Sequence, residues 1–400
     1  MKFAHFSDVH IGGWREEPMK TMQLEAFQKG VEICIGEKVD FILIAGDLFN
    51  TALPPIDQIR DVAASLKKLR DEYITVYLIP GSHDFSPSGK TMIEVLEKAG
   101  LCHNVFKLKN NNLQFTVDAK TGVKLTGILG LACGLDKRIY EKLDKSNLEK
   151  EPGFKIFLFH TIIDEYKPEH LKDINGEPLS SLPKGFNYYA GGHPHYIFAK
   201  KEDEYGLVAY PGALFPNNFM ELEKFKGGGF YIVDEKLNYN HVMIMNKEVE
   251  CFKFDVDKKS ASEAESDIIK EIKKHDLKGK ITTIRVKGTL SSGKTSDVNF
   301  KKIIESIKDP YCVLTNKAKL QSREFEEVEV ETGNVEDVEM RIISEHLKNL
   351  DFNSFNGKDF AVNLMNLMNK EKDEGERKVD FESRLVSDFI KSLGIEEVWK

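Results

Sequence analysis

Apolar runs of strand length alternate with segments of helical periodicity over the first hundred residues. One run opens the chain at Lys2, and two more follow at residues 41 to 45 and 74 to 79. The second run is apolar throughout, which is typical of a strand buried on both faces. Helices are predicted between and after these runs, at residues 19 to 36, from Pro54 onward and at residues 90 to 99. This β-α-β-α-β-α order predicts an α/β fold with parallel strands and helices on both sides of the sheet.

The middle of the chain is richer in strands. Two apolar segments flank the Thr121-Gly122 turn, at residues 113 to 117 and 123 to 131, and predict a hairpin. Four further strands are predicted at residues 155 to 159, 187 to 190, 207 to 210 and 230 to 234. Together with the first strands they predict a two-sheet sandwich, which makes up a domain of residues 1 to 246.

A change of pattern near residue 247 predicts a second, smaller α+β domain. Strands and helices alternate from there to residue 331, the predicted end of that domain. The tail, residues 335 to 400, is predicted to be helical, with amphipathic segments at residues 336 to 349, 357 to 369 and 379 to 393. Such helices either pack on the body of the protein or lie in the groove of a partner.

The composition serves mainly to exclude some classes of protein and of site. The net charge of −8 argues against a protein that binds nucleic acid through phosphate contacts alone, although most of the acidic excess lies beyond residue 334. The five cysteines are scattered and include no C-x-x-C pair, which indicates buried free thiols rather than a zinc-thiolate site. Since there is neither a signal-peptide pattern nor an apolar stretch of membrane-span length, we expect a soluble cytoplasmic protein.

Carboxylates and imidazoles follow the predicted strand ends, where ligands bind in open α/β sheets. The two side-chain types together suit first-row divalent metals. There are more of them than one ion needs, which favours two ions that share a bridging carboxylate. His5 lies an odd number of residues from Asp8, so we expect it on the opposite strand face as a core or interface histidine. The residues at the strand ends are Asp8, His10, Asp47, His83, Asp84, His160, His193 and His195.

The order of these residues resembles a known family. Asp-x-His, Gly-Asp, a Gly-x-His-Asp segment, a single His and Gly-His-x-His follow one another as in the calcineurin-like metallophosphoesterases. Ser-Asp-x-His-Ile-Gly at residues 7 to 12 and Ala-Gly-Asp-Leu-Phe-Asn at residues 45 to 50 are similar to the motifs of SbcD-type double-strand-break repair nucleases. The resemblance is dense over residues 1 to 235 and looser in the capping domain and tail.

The resemblance implies a two-metal centre, with Mn²⁺ as the expected metal. It implies that the first ion is held by Asp8, His10, Asp47 and His195. It implies that the second is held by Asp47, His160 and His193, so that Asp47 bridges the two. His83 would hydrogen-bond the phosphate or protonate the leaving oxygen, and Asp84 would orient His83.

Two positions depart from the family pattern. Ser82 stands where the family has a metal-binding asparagine, so we expect Ser82 to reach the second ion through water or only weakly. The segment at residues 210 to 215 should lie close to the site, but it lacks the polar residues that repair nucleases carry after its glycine. Trp14, Arg15 and Lys90 are candidates for DNA contacts; loop packing is an equal alternative for Trp14, and simple exposure is the alternative for Lys90.

The function that the resemblance implies is a two-metal DNA phosphodiesterase in double-strand-break repair. It would be a 3′-to-5′ exonuclease and single-strand endonuclease, a homodimer through the phosphoesterase domain, and a partner of an SMC-like (SbcC-type) ATPase through its C-terminal helices. Residues 56 to 70 and 90 to 99 are candidate dimer helices. Two alternatives stay open: a phosphodiesterase for small or nucleotide substrates, and a weakly active scaffold, which Ser82 alone favours.

Overall fold

Two mixed six-stranded β-sheets pack face to face and carry helices on their outer sides. The computed structural model describes residues 1–86, 91–131, 134–172, 174–323, 367, 370 and 378–393. Residues Met1–Gln321 form one compact unit, and Ser322–Lys400 form a second.

The described strands and helices follow one another along the chain. The strands are β1 (Lys2–Phe6), β2 (Phe41–Ala45), β3 (Thr75–Ile79), β4 (His103–Asn104), β5 (Leu108–Lys109), β6 (Asn112–Leu113), β7 (Thr116–Val117), β8 (Lys124–Ile128), β9 (Lys155–His160), β10 (Tyr188–Gly192), β11 (Phe198–Glu202), β12 (Gly206–Tyr210), β13 (Gly228–Asp234), β14 (Tyr239–Ile244), β15 (Val249–Asp255), β16 (Ile281–Leu290) and β17 (Cys312–Ser322). The helices are α1 (Met22–Gly36), α2 (Ile56–Asp71), α3 (Met92–Lys98), α4 (Lys137–Lys142), α5 (Ser146–Lys150), α6 (Phe219–Phe225), α7 (Ala261–Ile272), α8 (Phe300–Glu305) and α9 (Lys378–Leu393).

The two large sheets are each built around a parallel centre. The first has the order β14-β13-β1-β2-β3-β4, with β1 to β4 parallel and the pairs β1–β13 and β13–β14 antiparallel. The second has the order β11-β12-β10-β9-β8-β7, with β8, β9, β10 and β12 parallel and antiparallel strands at both edges. The carboxyl ends of the central strands therefore meet at one edge of the sandwich.

Alternation along the strands divides the apolar side chains between two layers. Phe3 and Phe41 of the first sheet share a buried cluster with Leu158 and Tyr188 of the second, which is the core between the sheets. The alternate positions, such as Phe6, pack in another buried cluster with α1, α2 and α3 on the outside of the first sheet. The two-sheet sandwich predicted from the sequence is confirmed.

A third sheet, β15-β16-β17, has a core of its own with α7 and α8. The helix α7 begins with a capping box, in which Ser260 and Glu263 each satisfy the other's backbone N–H. The predicted order of strand, helix, strand, helix and strand from residue 249 onward is confirmed. The structure groups these elements with the rest of Met1–Gln321, so a separate domain of residues 247 to 331 stays a prediction.

Some element predictions need correction or lie outside the described residues. The segment 113 to 117 is not one strand, because Leu113 pairs in β6 with β5 and only Thr116–Val117 forms the hairpin with β8. The edge strands β11 and β14 and the short helices α4 to α6 were not predicted. The predicted helix at residues 379 to 393 is confirmed as α9. Those at residues 336 to 349 and 357 to 369 lie outside the described residues, except for residue 367.

The cysteines in the described part of the chain are free thiols. Cys34, Cys102 and Cys312 are buried and Cys251 is half-buried, while Cys133 lies outside the described residues. None of the described helices is long and apolar enough to cross a membrane.

His5 lies in the core between the sheets, as predicted. It is 0% exposed, and its Nδ1 is 2.8 Å from the hydroxyl of Tyr188. Burial lowers the pKa of His5 to about 3. An unfolded histidine titrates near pH 6.5, so below that pH the unfolded chain binds a proton that the folded chain does not.

We expect His5 to make the protein sensitive to acid. As the pH falls from about 6.5 towards 3, the free energy of unfolding should decrease because only unfolded His5 binds a proton. The decrease due to this residue should reach about 2 kcal/mol by pH 5. His5→Asn, which keeps a polar atom for Tyr188 and cannot titrate, should lose less stability than the parent between pH 7 and pH 5. Urea unfolding at both pH values measures this, with His103→Asn at an exposed position as control. Equal losses in the parent and in His5→Asn would contradict it.

Candidate metal centre

The predicted ligands come together where strands of the two sheets end. Asp8 and His10 follow β1, Asp47 follows β2, and His160 is the last residue of β9. Asp8, His10 and Asp47 have φ near +50°, a left-handed conformation that is strained for residues other than glycine. Backbone hydrogen bonds hold two of them in this conformation: Asp8 N–H donates to Gly46 O at 3.2 Å and His10 N–H donates to Asp47 O at 2.9 Å.

Two glycines allow this close approach. A Cβ on Gly46 would lie 2.1 Å from Nδ1 of His160, and one on Gly81 would lie 2.2 Å from a carboxylate oxygen of Asp47. Real Cβ atoms do not approach other atoms so closely, so any larger residue would displace a ligand.

A first group of ligand atoms consists of Asp8, His10 and His195, which lie within 4.8 Å of one another. The Nε2 atoms of His10 and His195 are 3.2 Å apart, and Nε2 of His195 is 3.6 Å from Oδ1 of Asp8. His195 donates from Nδ1 to Oε1 of Glu221 at 2.9 Å, so in the neutral ring Nε2 carries the lone pair. Two imidazole nitrogens and a carboxylate thus converge, which is the donor set that a divalent cation accepts.

A second group consists of Asp8, Asp47 and His160, which are all buried. Nδ1 of His160 donates to Ala45 O at 2.8 Å, and its Nε2 faces Oδ2 of Asp47 at 3.2 Å without a hydrogen-bond partner. A neutral ring cannot donate from this nitrogen. The pair therefore requires either an extra proton or a cation, and the residues fit a metal ion.

In the protein without metal, the pKa values of these side chains show that the buried carboxylates require positive charge nearby. Burial opposes ionisation of Asp47, yet the charge of His160 holds the pKa of Asp47 well below its usual range. Burial also opposes a charge on His160, but Asp47 raises the pKa of His160 to about 9. Likewise, the bonds to Asp8 and Glu221 outweigh burial and raise the pKa of His195 to about 10. Protons on the imidazoles therefore balance the buried carboxylates.

His193 lies beside these groups. Its backbone N–H donates to both carboxylate oxygens of Asp8 at 3.1 Å, and its ring centroid is 5.2 Å from that of His160. Its side chain is not part of the groups of ligand atoms found among the described residues. Its role as a ligand of the second ion stays a prediction.

His83 stands at the exposed rim of the centre. Its Nδ1 donates to Asn50 O at 3.0 Å, its backbone N–H donates to Oδ1 of Asp47 at 2.8 Å, and its ring meets that of His10 edge-on. His83 also forms a third group of ligand atoms with His10 and Asp47, all within 4.8 Å of one another. With Nδ1 occupied, Nε2 is the atom left to meet an ion or a substrate.

The prediction that Asp84 orients His83 needs correction. The Asp84 side chain is buried and accepts three backbone N–H bonds, from Leu48, Phe49 and Gly81, at 2.9 to 3.1 Å. Among the described hydrogen bonds none joins Asp84 to the His83 ring. Asp84 instead ties the loop after β2 to the loop after β3, and the backbone carbonyl of Asn50 orients His83. Burial, and then the charge of Asp47, raise the pKa of Asp84 to about 7.

The other predicted site residues have different outcomes. The Ser82 hydroxyl donates to Oδ2 of Asp47 at the long distance of 3.5 Å, so its role as a ligand stays a prediction. Trp14 is only 7% exposed and donates from its indole to Pro216 O at 2.8 Å, so it packs in the core and offers no stacking surface for DNA. Arg15 is exposed, and Lys90 lies outside the described residues.

The segment at residues 210 to 215 does lie at the centre, as predicted. Leu214 N–H donates to Asp8 O at 3.3 Å, and the Ser7 hydroxyl donates to Gly212 O at 3.1 Å. Sequence reasoning missed Glu221, which contacts His195 from α6. The Asn218-x-x-Glu221 pattern is a helix-start signal that could have located α6, but not its contact with the histidine.

A cleft of about 1030 Å³ opens beside the ligands of the second group. Its lining includes Ser82, His83, His160 and His193, three lysines, Lys137, Lys167 and Lys172, and three carboxylates, Asp136, Asp164 and Glu177. Lys167 pairs with Asp164 and Lys172 with Glu169. No ion pair links Lys137 to any residue that the structure describes, so its charge is available to a phosphate in the cleft.

The chain is similar to proteins of one family. Residues 1–196 match the family model described as "Calcineurin-like phosphoesterase", which spans the predicted ligands from Asp8 to His195. The chain is 31% identical over 276 residues to the DNA double-strand break repair protein Mre11 of Methanococcus maripaludis, covering 66% of this chain and 71% of that protein. It is 28% identical over 362 residues to the protein of the same name from Methanocaldococcus jannaschii, covering 84% of this chain and 88% of that relative.

We expect divalent manganese to stabilise the fold through these groups. A ligand that binds only the folded state adds about 2.7 kcal/mol at a concentration one hundred times its dissociation constant. Asp47→Asn removes the carboxylate next to both His10 and His160, so it should abolish most of the rise in melting temperature that Mn²⁺ produces. Thermal melts with and without Mn²⁺ measure this. Asp71→Asn, at an exposed position, should behave like the parent; an undiminished rise in Asp47→Asn would contradict the assignment.

Proposed function

The chain belongs to the calcineurin-like phosphoesterases of the Mre11 type, and we propose that it is a metal-dependent nuclease that cuts DNA in double-strand-break repair. The observation that carries this proposal is the convergence of buried carboxylates and imidazoles beside a cleft that Lys137 also lines. Such a cleft suits a phosphodiester with further phosphates on either side. The names and extent of the similar proteins support the choice of DNA as the substrate.

Two Mn²⁺ ions would be held by the carboxylates and imidazoles of this centre. Asp8, His10, Asp47 and His195 would bind the first, and Asp47, His160 and His193 the second. Bound ions of this kind activate water and stabilise the charge that develops on phosphoryl oxygens. The protein's own part is to hold the ligands in place, which the cross-strand bonds and the close-packed glycines achieve before substrate arrives.

His83 would act on the substrate directly. The Asn50 carbonyl fixes its ring through Nδ1, so Nε2 is left to donate a proton or a hydrogen bond. At the rim of the cleft that atom would act on the phosphate or on the leaving oxygen of the cleaved strand. Lys137, which lines the same cleft, would hold a neighbouring phosphate.

The finer activities follow the family pattern. We infer 3′-to-5′ exonuclease and single-strand endonuclease activity in the cytoplasm. We infer that residues 247 to 331 form a capping and DNA-binding domain, which their own sheet and core support. A homodimer through α2 and α3 is supported by their exposed apolar side chains: Ile56 is 84% exposed and Val95 is 55% exposed.

The tail, residues 335 to 400, would dock on an SMC-like ATPase of the SbcC type. Support comes from α9, where Phe381 and Leu385 are half-buried while Val386 is 54% exposed and Phe389 37% exposed. A helix with such apolar side chains can lie in the groove of a partner.

Cleavage of end-labelled DNA tests the proposal. With Mn²⁺, the parent should degrade single- and double-stranded DNA, and His83→Ala should reduce kcat by about 10² to 10⁴-fold because the proton donor is lost. Its Mn²⁺ affinity should stay that of the parent, since His83 is not assigned as a ligand. His103→Ala, at an exposed position outside the centre, is the control.

The other outcomes identify the alternatives. If DNA stays intact while a cyclic or p-nitrophenyl diester is hydrolysed, the protein acts on small substrates and the repair proposal fails. If neither substrate is cut although Mn²⁺ binds, the protein is a scaffold.

Ser82 gives a separate prediction about the second ion. Its hydroxyl is shorter than the amide of the family's asparagine and is already 3.5 Å from Asp47. Ser82→Asn should therefore tighten the weaker of the two Mn²⁺ sites, by about tenfold or more on the scale seen for groups that support metal ligands. Calorimetric titration of parent and variant measures both sites. Equal Mn²⁺ affinity at the second site in the parent and in Ser82→Asn would show that the serine does not weaken that site.

A further inference from the structure

The metal ligand His195 is held by a carboxylate from a short helix. Oε1 of Glu221 accepts from Nδ1 of His195 at 2.9 Å, and the Glu221 side chain is only 13% exposed. A carboxylate on the far nitrogen of a metal-binding imidazole fixes the ring's orientation and makes the other nitrogen a stronger ligand. Glu221 does not reach the other ligands, so it acts through His195.

Glu221 is itself firmly placed. Its Oε2 accepts the backbone N–H of Asn217 at 2.8 Å, and its own N–H donates to the side chain of Asn218, the N-cap of α6. The side chain of Asn217 accepts from Gln23 at 2.7 Å. The start of α6 is thus tied both to His195 and to α1.

The other side of α6 is tied to the third sheet. Glu223 accepts a two-pronged ion pair from Arg285 of β16, with distances of 2.8 to 3.1 Å. The Glu223 side chain is 5% exposed and that of Arg285 is 23% exposed, so water screens the pair poorly. The guanidinium also stacks over Phe219, 5.1 Å from the ring centre. Removing one partner of so buried a pair leaves the other charge without compensation.

We propose that α6 is a rigid link through which the β15-β16-β17 sheet governs the metal centre, with Glu221 as the positioning residue for His195. Glu221, which contacts the ligand, and Glu223, which contacts the sheet, lie two positions apart on one short helix. Anything that shifts β16 relative to the large sheets would move Arg285, then α6, and then His195. By linkage, metal binding would in turn stabilise that arrangement of the sheet. The inference rests on the proposed metal centre and deepens it by naming a route for its regulation.

The test is the Mn²⁺ affinity of the full chain, measured by calorimetry or by electron paramagnetic resonance. Glu221→Gln should weaken the site that contains His195 by about tenfold. Arg285→Met should weaken the same site by a smaller factor, although Arg285 touches no ligand. Lys287→Met is the matched control, because Lys287 lies on the same strand, pairs with exposed Asp255 at 3.1 Å and belongs to no described contact with α6.

The double variant distinguishes a shared route from two separate effects. If α6 transmits the effect, Arg285→Met should add little once Glu221→Gln has released His195. Full additivity, or an Arg285→Met affinity equal to that of Lys287→Met, would overturn the proposal, as would an unchanged affinity in Glu221→Gln. If Arg285→Met does not fold, Arg285→Lys, which keeps the charge but not the two-pronged contact, replaces it with the same expectations.

Metal affinity also separates this inference from the nuclease proposal. A parent that binds Mn²⁺ but leaves DNA intact would defeat the nuclease proposal, and the affinities of the variants would still decide the role of α6. A parent that binds no Mn²⁺ would overturn both.

Discussion

Two carboxylates, Asp8 and Asp47, are buried within the same small volume, and much of the surrounding structure depends on how their charge is balanced. Both are at most 1% exposed, in surroundings where charges interact far more strongly than in water. Several imidazoles adjoin them, and burial keeps one of these, His10, neutral by lowering its pKa to about 4. His160 and His195 hold their protons against the same burial. Divalent cations can therefore replace the protons of His160 and His195 in balancing the charge of the two carboxylates.

That balance requires positions that a flexible loop could not maintain. Asp8, His10 and Asp47 adopt left-handed backbone conformations directly after their strands, where backbone hydrogen bonds join the segment after β1 to the segment after β2. Asp84 strengthens this frame, since its carboxylate ties the loop after β2 to the loop after β3. The stability of the sandwich thus maintains strain at the site, as is common where catalytic groups must be preorganised.

The same geometry explains what could be predicted from the sequence. Strands β1, β2 and β3 are short apolar runs, and the residues after them share one edge because parallel strands end there, so Asp8 and Asp47 could be placed together without coordinates. Contacts between distant segments could not be predicted this way. Trp14 is a core residue only because Pro216 lies against it, and Glu221 reaches His195 only because α6 packs there. Edge strands such as β11 are half-exposed and show too weak an apolar pattern to be recognised.

The acidic composition of the chain is compatible with a DNA substrate once charge is considered locally. Phosphates respond to the field within roughly 8 to 10 Å at physiological salt, so distant acidic residues are screened. The cleft is lined by Lys137, Lys167 and Lys172 together with Asp136, Asp164 and Glu177, so lysines and carboxylates are equal in number there. A bound pair of divalent ions would outweigh Asp8 and Asp47 and add positive charge to the cleft. Substrate affinity should then depend on metal occupancy, so a device that governs His195 would govern DNA binding together with chemistry.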